Sequence, residues 1–138
     1  MELPKFALSI RQPWADAIIW HEKDIENRNW TTNFRGAVCI HAAKAWGRSE
    51  KDDLEYIEQL LNIKLEVDKP ELGGIIGTAE IIDCVADSES HWFSGKYGFV
   101  LANAKSVDFI PCKGALGFFD WRKLNALSPT PTDKEGAT

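Results

Sequence analysis

Gly73-Gly74-Ile75-Ile76-Gly77-Thr78-Ala79-Glu80-Ile81-Ile82-Asp83-Cys84-Val85 is the stretch that decides the fold class. Its β-branched residues read as one long strand. Gly77 interrupts that strand, and a glycine inside a strand marks a bulge or a bend, as a sheet that curls on itself requires.

Working outward, the flanking segments are also strand-like and short. Lys5 to Ile10 reads as a buried strand, Ile25 to Trp30 reads as a strand with one polar face, and Gly36 opens an apolar run over Ala37–Ala42. Downstream, Tyr97–Leu101 and Val107–Ile110 read as two strands joined by a polar connection, and Gly114–Trp121 is a further glycine-broken apolar segment. Two helices are expected. The first runs from Trp14 to about Lys23, with Pro13 at its start, where a missing N–H costs nothing. The second begins at Arg48-Ser49, with Ser49 and Asp52 forming a capping box and Leu54, Ile57, Leu60 and Leu61 an apolar face. Its acidic face of Asp52, Asp53, Glu55 and Glu58 reads as solvated surface. Residues 62–72 read as a loop. Strands and helices do not alternate regularly, which favours an α+β fold, a small barrel of about six strands with two or so flanking helices, over a doubly wound parallel sheet. One domain over residues 1–126 and a disordered Ser/Pro/Thr-rich tail over 127–138 are expected.

The chain has 138 residues, 44% of them hydrophobic and 27% charged, the balance of a soluble globular domain. No run approaches the roughly 18 apolar residues of a membrane span, and the N-terminus lacks a secretory pattern, so a cytoplasmic location is expected. The three cysteines (Cys39, Cys84, Cys112) and three histidines (His21, His41, His91) have neither disulfide-framework nor metal-ligand spacing. No phosphate loop, dinucleotide glycine fingerprint or Ser-His-Asp order is present, so neither cofactor nor metal is predicted. The net charge of −5 argues against coating nucleic acid through bulk electrostatics. Residues 1–50 nevertheless carry seven basic and six acidic side chains, whereas residues 51–72 carry three and seven, so a local basic cleft in the first third is allowed.

The densest polar residues fall in that first third. In Lys23-Asp24-Ile25-Glu26-Asn27-Arg28, Glu26 and Arg28 lie two apart on a strand and share a face, and Lys23 enters from the preceding helix. Adjacent Lys, Glu and Arg side chains can hold one another's charge and orient a polar ligand, or can form a structural ion-pair network. His41 lies at the end of the strand at 37–42 and Lys44 follows it, and Lys44 beside Trp46 has the makings of a phosphate contact next to a stacking ring. Six tryptophans are many for this length, and Trp14, Trp30, Trp46 and Trp92 each neighbour polar or basic residues. They fit either base-stacking platforms or core filling.

The blocks Leu8-Ser9-Ile10-Arg11-Gln12-Pro13-Trp14-Ala15 and Lys23-Asp24-Ile25-Glu26-Asn27-Arg28-Asn29-Trp30 resemble the signature of ASCH domains. Ile40-His41-Ala42-Ala43-Lys44, Gly77-Thr78-Ala79-Glu80 and Tyr97-Gly98-Phe99-Val100-Leu101 extend the resemblance over about residues 6–121. It implies a PUA-like β-barrel used on RNA, with a cleft beside the first-helix turn. Some bacterial members hydrolyse the acetyl amide of acetylcytidine with a Lys, a Thr and a Glu. By position the Lys is Lys23 and the associated Arg is Arg28, while Glu26 stands where the Thr would be. Three functions follow as expectations. The first is recognition of RNA or a nucleoside by Gln12, Trp14, Arg28, His41, Lys44 and Trp46 around Lys23 and Glu26. The second is hydrolysis of RNA or a modified nucleoside, with Lys23 and Glu26 catalytic. The third is a protein-interaction module. The oligomeric state is not legible.

Overall fold

A computed structural model of the chain describes residues 2–65 and 69–126, and the tail expected over 127–138 lies outside them. In chain order the elements are β1 (Phe6–Ile10), α1 (Trp14–Trp20), β2 (Ile25–Arg28), β3 (Gly36–Ala42), α2 (Arg48–Leu61), β4 (Gly74–Val85), β5 (Tyr97–Pro111), β6 (Phe118–Asp120) and α3 (Trp121–Ala126). The strands form a six-stranded sheet in the order β2-β5-β4-β3-β1-β6. All its pairings are antiparallel except β1 with β3. The α+β reading holds: a curled sheet with three helices.

Side chains alternate across that sheet with the period of two that a pleated strand imposes. Leu8, Ile10, Val38, Ile40, Ala42, Ile76, Phe99 and Leu101 fill the inside of the curl, with Ala15 and Ile18 of α1 packed against them. Ala7, Cys39, Ile75, Phe119 and Trp121 form a second cluster on the opposite face. The curl is possible because β4 bends at Gly77. The pairing register slips there against both neighbours, between Ile40 and His41 of β3 and between Ile75 and Gly77 toward β5. A Cβ at Gly77 would stand 2.3 Å from the Lys105 carbonyl oxygen and 2.5 Å from Ile19 Cδ1, so only glycine lets β5 and α1 approach this closely.

The ends of the sheet meet through side chains. Arg28 of β2 donates from Nη2 to the Ser9 carbonyl of β1 (2.8 Å). Trp30 lies edge-on between Phe99 (5.1 Å) and Phe118 of β6 (5.9 Å).

Several boundaries differ from the sequence expectation, each for a local reason. α1 stops at Trp20 because Glu22 takes a left-handed conformation (φ 59°) and the Lys23 N–H reaches back to the Ala17 carbonyl (3.1 Å). A left-handed residue that closes a helix C-terminus in this way is usually glycine. β5 is one strand rather than two. Its polar stretch stays paired with β4 while Asn103 (φ 55°) supplies a kink. α2 is not capped by Ser49 and Asp52. Its cap residue is Gly47, whose N–H donates to Glu50 Oε1 (2.8 Å).

Candidate functional site

A cleft of about 600 Å³ opens where β2, the start of α1, α2 and the segment 91–94 converge. This volume is in the range that takes a small organic ligand. Its floor is the Lys23-Glu26-Arg28 group. The left-handed turn after α1 sends the Lys23 side chain inward, where it is 2% exposed. Its Nζ donates to the Ile25 carbonyl and to Glu26 Oε1 (3.3 Å) and lies 5.7 Å from the Trp14 ring centre. Arg28, two residues along β2 from Glu26, donates from Nε to Glu26 Oε2 (3.0 Å). One carboxylate therefore sits between two cations, each oxygen accepting from one of them, an arrangement that desolvated charges need.

The walls are aromatic and come from distant parts of the chain. On one side Trp14 donates its indole N–H to Asp53 Oδ2 of α2 (3.0 Å), and Tyr56, one turn further along α2, lies 6.1 Å from the Trp14 ring. Arg11 at the rim bridges Glu50 (3.0 Å) and Asp53 (3.8 Å). The Gly47 N–H and the Arg11 guanidinium hold the Glu50 carboxyl below its ordinary range. On the other side stand His91, Trp92, Phe93 and Ser94. Asn27 of β2 clamps that segment with both ends of its amide, donating to the Trp92 carbonyl (2.9 Å) and accepting from the Ser94 N–H (3.0 Å). Counted over the lining side chains, Arg11, Lys23 and Arg28 face Glu26 and Asp53, so the cleft is close to electrically balanced.

The structure brings Trp14, Lys23, Glu26, Arg28 and Trp92 together in this cleft, and places Gln12, His41, Lys44 and Trp46 outside its lining. Gln12 is completely buried. Its amide bonds to Asp16 at both ends (3.0 and 2.9 Å) and donates to the Glu71 carbonyl (3.1 Å), which ties the start of α1 to the segment before β4. His41 is buried on the face of β3 that also carries Cys39. Its Nε2 donates to the Cys112 carbonyl (2.9 Å), leaving Nδ1 to accept from the Ser9 hydroxyl (2.9 Å). Burial lowers the basicity of His41, so the neutral ring is the native form. Lys44 is exposed, with its stem packed over Gly73. Trp46 lines a separate small cavity of about 30 Å³ with Pro13, Asp16, His21 and Ile57 among its neighbours.

Reasoning from the sequence did not identify Arg11, Asn27, Asp53, Tyr56, His91 or Phe93 as cleft residues. The clearest available signal was the His91-Trp92-Phe93 run inside an otherwise polar loop. The acidic face of α2 also needs correcting: Asp53 is half-buried against Trp14, and Glu58 accepts from the Leu65 N–H (2.8 Å), so it is not simply a solvated surface. Among the described residues no group of three or more His, Cys, Asp or Glu side chains is arranged to hold a metal ion, and no helix is long and apolar enough to cross a membrane.

Activating signal cointegrator 1 from Homo sapiens is 32% identical over 88 residues, and its Mus musculus counterpart 31% over the same length. Each alignment covers 61% of this chain but only 15% of the relative, so the chain spans a small part of the length of these proteins. The ASCH domain is a PUA-like family associated with RNA binding. Its family model matches residues 8–111, which include all the residues lining the cleft, four of the six strands whole and part of β1, and the chain belongs to the ASCH domain family.

Proposed function

We propose that the cleft receives a single unpaired base or nucleoside of RNA. The observation that carries this reading is the buried Glu26 carboxylate, held between Lys23 and Arg28 at the bottom of a cleft whose two walls are aromatic. A planar heterocycle entering between Trp14 and Tyr56 on one side and His91 and Trp92 on the other has π-faces to stack on. At the floor, the second lone pairs of the Glu26 oxygens accept from an exocyclic amine, and the outer face of the Arg28 guanidinium donates to a ring carbonyl or a phosphate oxygen. Because the charges lining the cleft nearly cancel and the chain carries −5 overall, stacking and directional hydrogen bonds dominate over attraction to a phosphate backbone.

Titrating nucleosides and short single-stranded RNA into the protein tests this reading. Saturable binding is expected, weakened about tenfold by Tyr56→Ala, since stacking on one ring contributes on the order of 1–3 kcal/mol. Tyr56 is 52% exposed, so that change spares the fold. Affinity that falls steeply with salt, or is indifferent to the aromatic walls, refutes it. A hydrolytic reading draws support from the proximity of Lys23 Nζ and Glu26 Oε1 (3.3 Å) at the cleft floor. Incubation with acetylcytidine and with RNA separates the two. Turnover by the parent protein assigns an enzyme, and binding without turnover assigns recognition.

A further inference from the structure

A second concavity lies behind α1, separated from the cleft by Lys23, whose residue contributes to both. It is a groove of about 420 Å³ between the C-terminal turn of α1 and the start of the kink in β5. Its apolar surface comes from Ile19, Trp20, Leu101 and Ala102. Trp20 is 63% exposed, which is unusual for a ring able to bury so much area, and the core does not need it.

The adjoining backbone is unpaired on the same side. β2 ends opposite Val100, and the Leu101 N–H donates to the Asp24 carbonyl (2.9 Å). Beyond that point β5 has no strand partner on its β2 side among the described residues, and Asn103 to Ser106 are exposed. Two non-glycine residues hold left-handed conformations at the two rims, Glu22 (φ 59°) and Asn103 (φ 55°). Such conformations cost free energy and persist where the surrounding structure imposes them. Asn103 is tied down by its side chain, which donates to Glu80 Oε1 (2.7 Å).

Among the described residues that line it, Glu22 and Asp24 are exposed on the rim, Asp24 accepting from the Ser90 hydroxyl (2.7 Å), and the cation Lys23 turns its ammonium away into the pair with Glu26.

We propose that this groove is a docking site for an extended protein segment that alternates apolar and basic residues. The segment lies along the free edge of β5 and uses its backbone N–H and C=O groups, as strand addition does elsewhere. One apolar side chain packs on Trp20, and basic neighbours face Glu22 and Asp24. The kink at Asn103 keeps the open edge short, and the acidic rim repels its own copy. Both features favour a short basic peptide over a second copy of this chain. The site is independent of the cleft and of whatever the cleft binds.

The test uses an acetylated, amidated pentapeptide alternating arginine and isoleucine, and the same peptide with glutamate in place of arginine. Each is titrated into the whole protein while backbone amide resonances are followed. Saturation below about 1 mM is expected for the arginine peptide, with shifts centred on Ala102–Lys105. Trp20→Ala is expected to weaken it about tenfold, and Glu22→Lys to weaken it further while leaving the melting temperature in place. No binding, equal binding of the glutamate peptide, shifts confined to the cleft, or affinity unchanged in Trp20→Ala each overturns the proposal. Concentration-dependent dimerisation that protects the same amides overturns it in favour of a second copy.

Discussion

Replacing Glu26 by alanine tests whether the cleft floor is also part of the fold. The side chains of Lys23 and Glu26 are 2% and 9% exposed, so the carboxylate is the counter-charge of an ammonium with little access to water. Removing it leaves the Ile25 carbonyl and the Trp14 ring as the remaining neighbours of Lys23, neither of which supplies a full negative charge. Arg28 is less affected, because its side chain is 19% exposed and keeps its bond to the Ser9 carbonyl. The cost of an uncompensated buried charge is about 3–5 kcal/mol. For a chain of 138 residues the lower figure corresponds to a fall of about 10 °C in melting temperature.

Calorimetry with urea titration at pH 7 measures both quantities. Glu26→Gln, which keeps the shape and one acceptor, is expected to fall between alanine and the parent. Lys23→Met combined with Glu26→Leu is expected to recover most of the loss, because replacing both members of a buried pair with apolar groups removes the desolvation cost together with the attraction. A fall of less than about 3 °C for Glu26→Ala, or a double variant as unstable as the worse single one, refutes the claim that this pair is electrostatically interdependent.

Three further outcomes follow from the same structure. His41 is native in its neutral form, so its contribution to stability is complete above its ordinary value of 6.5 and declines as pH falls below it toward the lowered folded value; urea midpoints between pH 5 and 8 should show this slope, and His41→Gln should lack it. Gly77→Ala drives a methyl group into the Lys105 carbonyl and Ile19, and should cost about 3 kcal/mol or abolish soluble expression, read by the urea midpoint. Burial raises the Cys39 thiol to about 11, so at pH 8 a thiol-exchange reagent should modify Cys84 in the folded protein and reach Cys39 only after urea is added.

What the sequence disclosed follows the range of the interactions involved. The strand of residues 74–85 and its bend were readable because a run of β-branched residues and one interior glycine are local signals. The Lys23-Glu26-Arg28 group was readable for the same reason: Glu26 and Arg28 share a face of one short strand. The single long β5 was not, since Asn103 takes a left-handed conformation without being glycine and is held there by Glu80, 23 residues away. The cleft walls were equally hidden. Asp53 meets Trp14 across 39 residues, and the Trp92 carbonyl meets Asn27 across 65, so neither spacing shows on the sequence. His41 looked like a cleft residue because it is the polar residue at the end of an apolar strand. The parallel pairing of β1 with β3 instead places it opposite Ser9, with Cys112 on its other side.

Arg28 links the two halves of this account. One end of its guanidinium group closes the sheet on the Ser9 carbonyl, and the other holds Glu26 at the bottom of the cleft. A ligand that engages the floor therefore bears on the same bonds that join β2 to β1, and binding should raise the stability of the closed sheet with the logarithm of ligand concentration over Kd. It also follows that substitutions at the floor change fold and ligand binding together and cannot apportion an effect between them. Tyr56 and His91 are exposed and line the walls without supporting the sheet closure, so changes there report on the ligand alone.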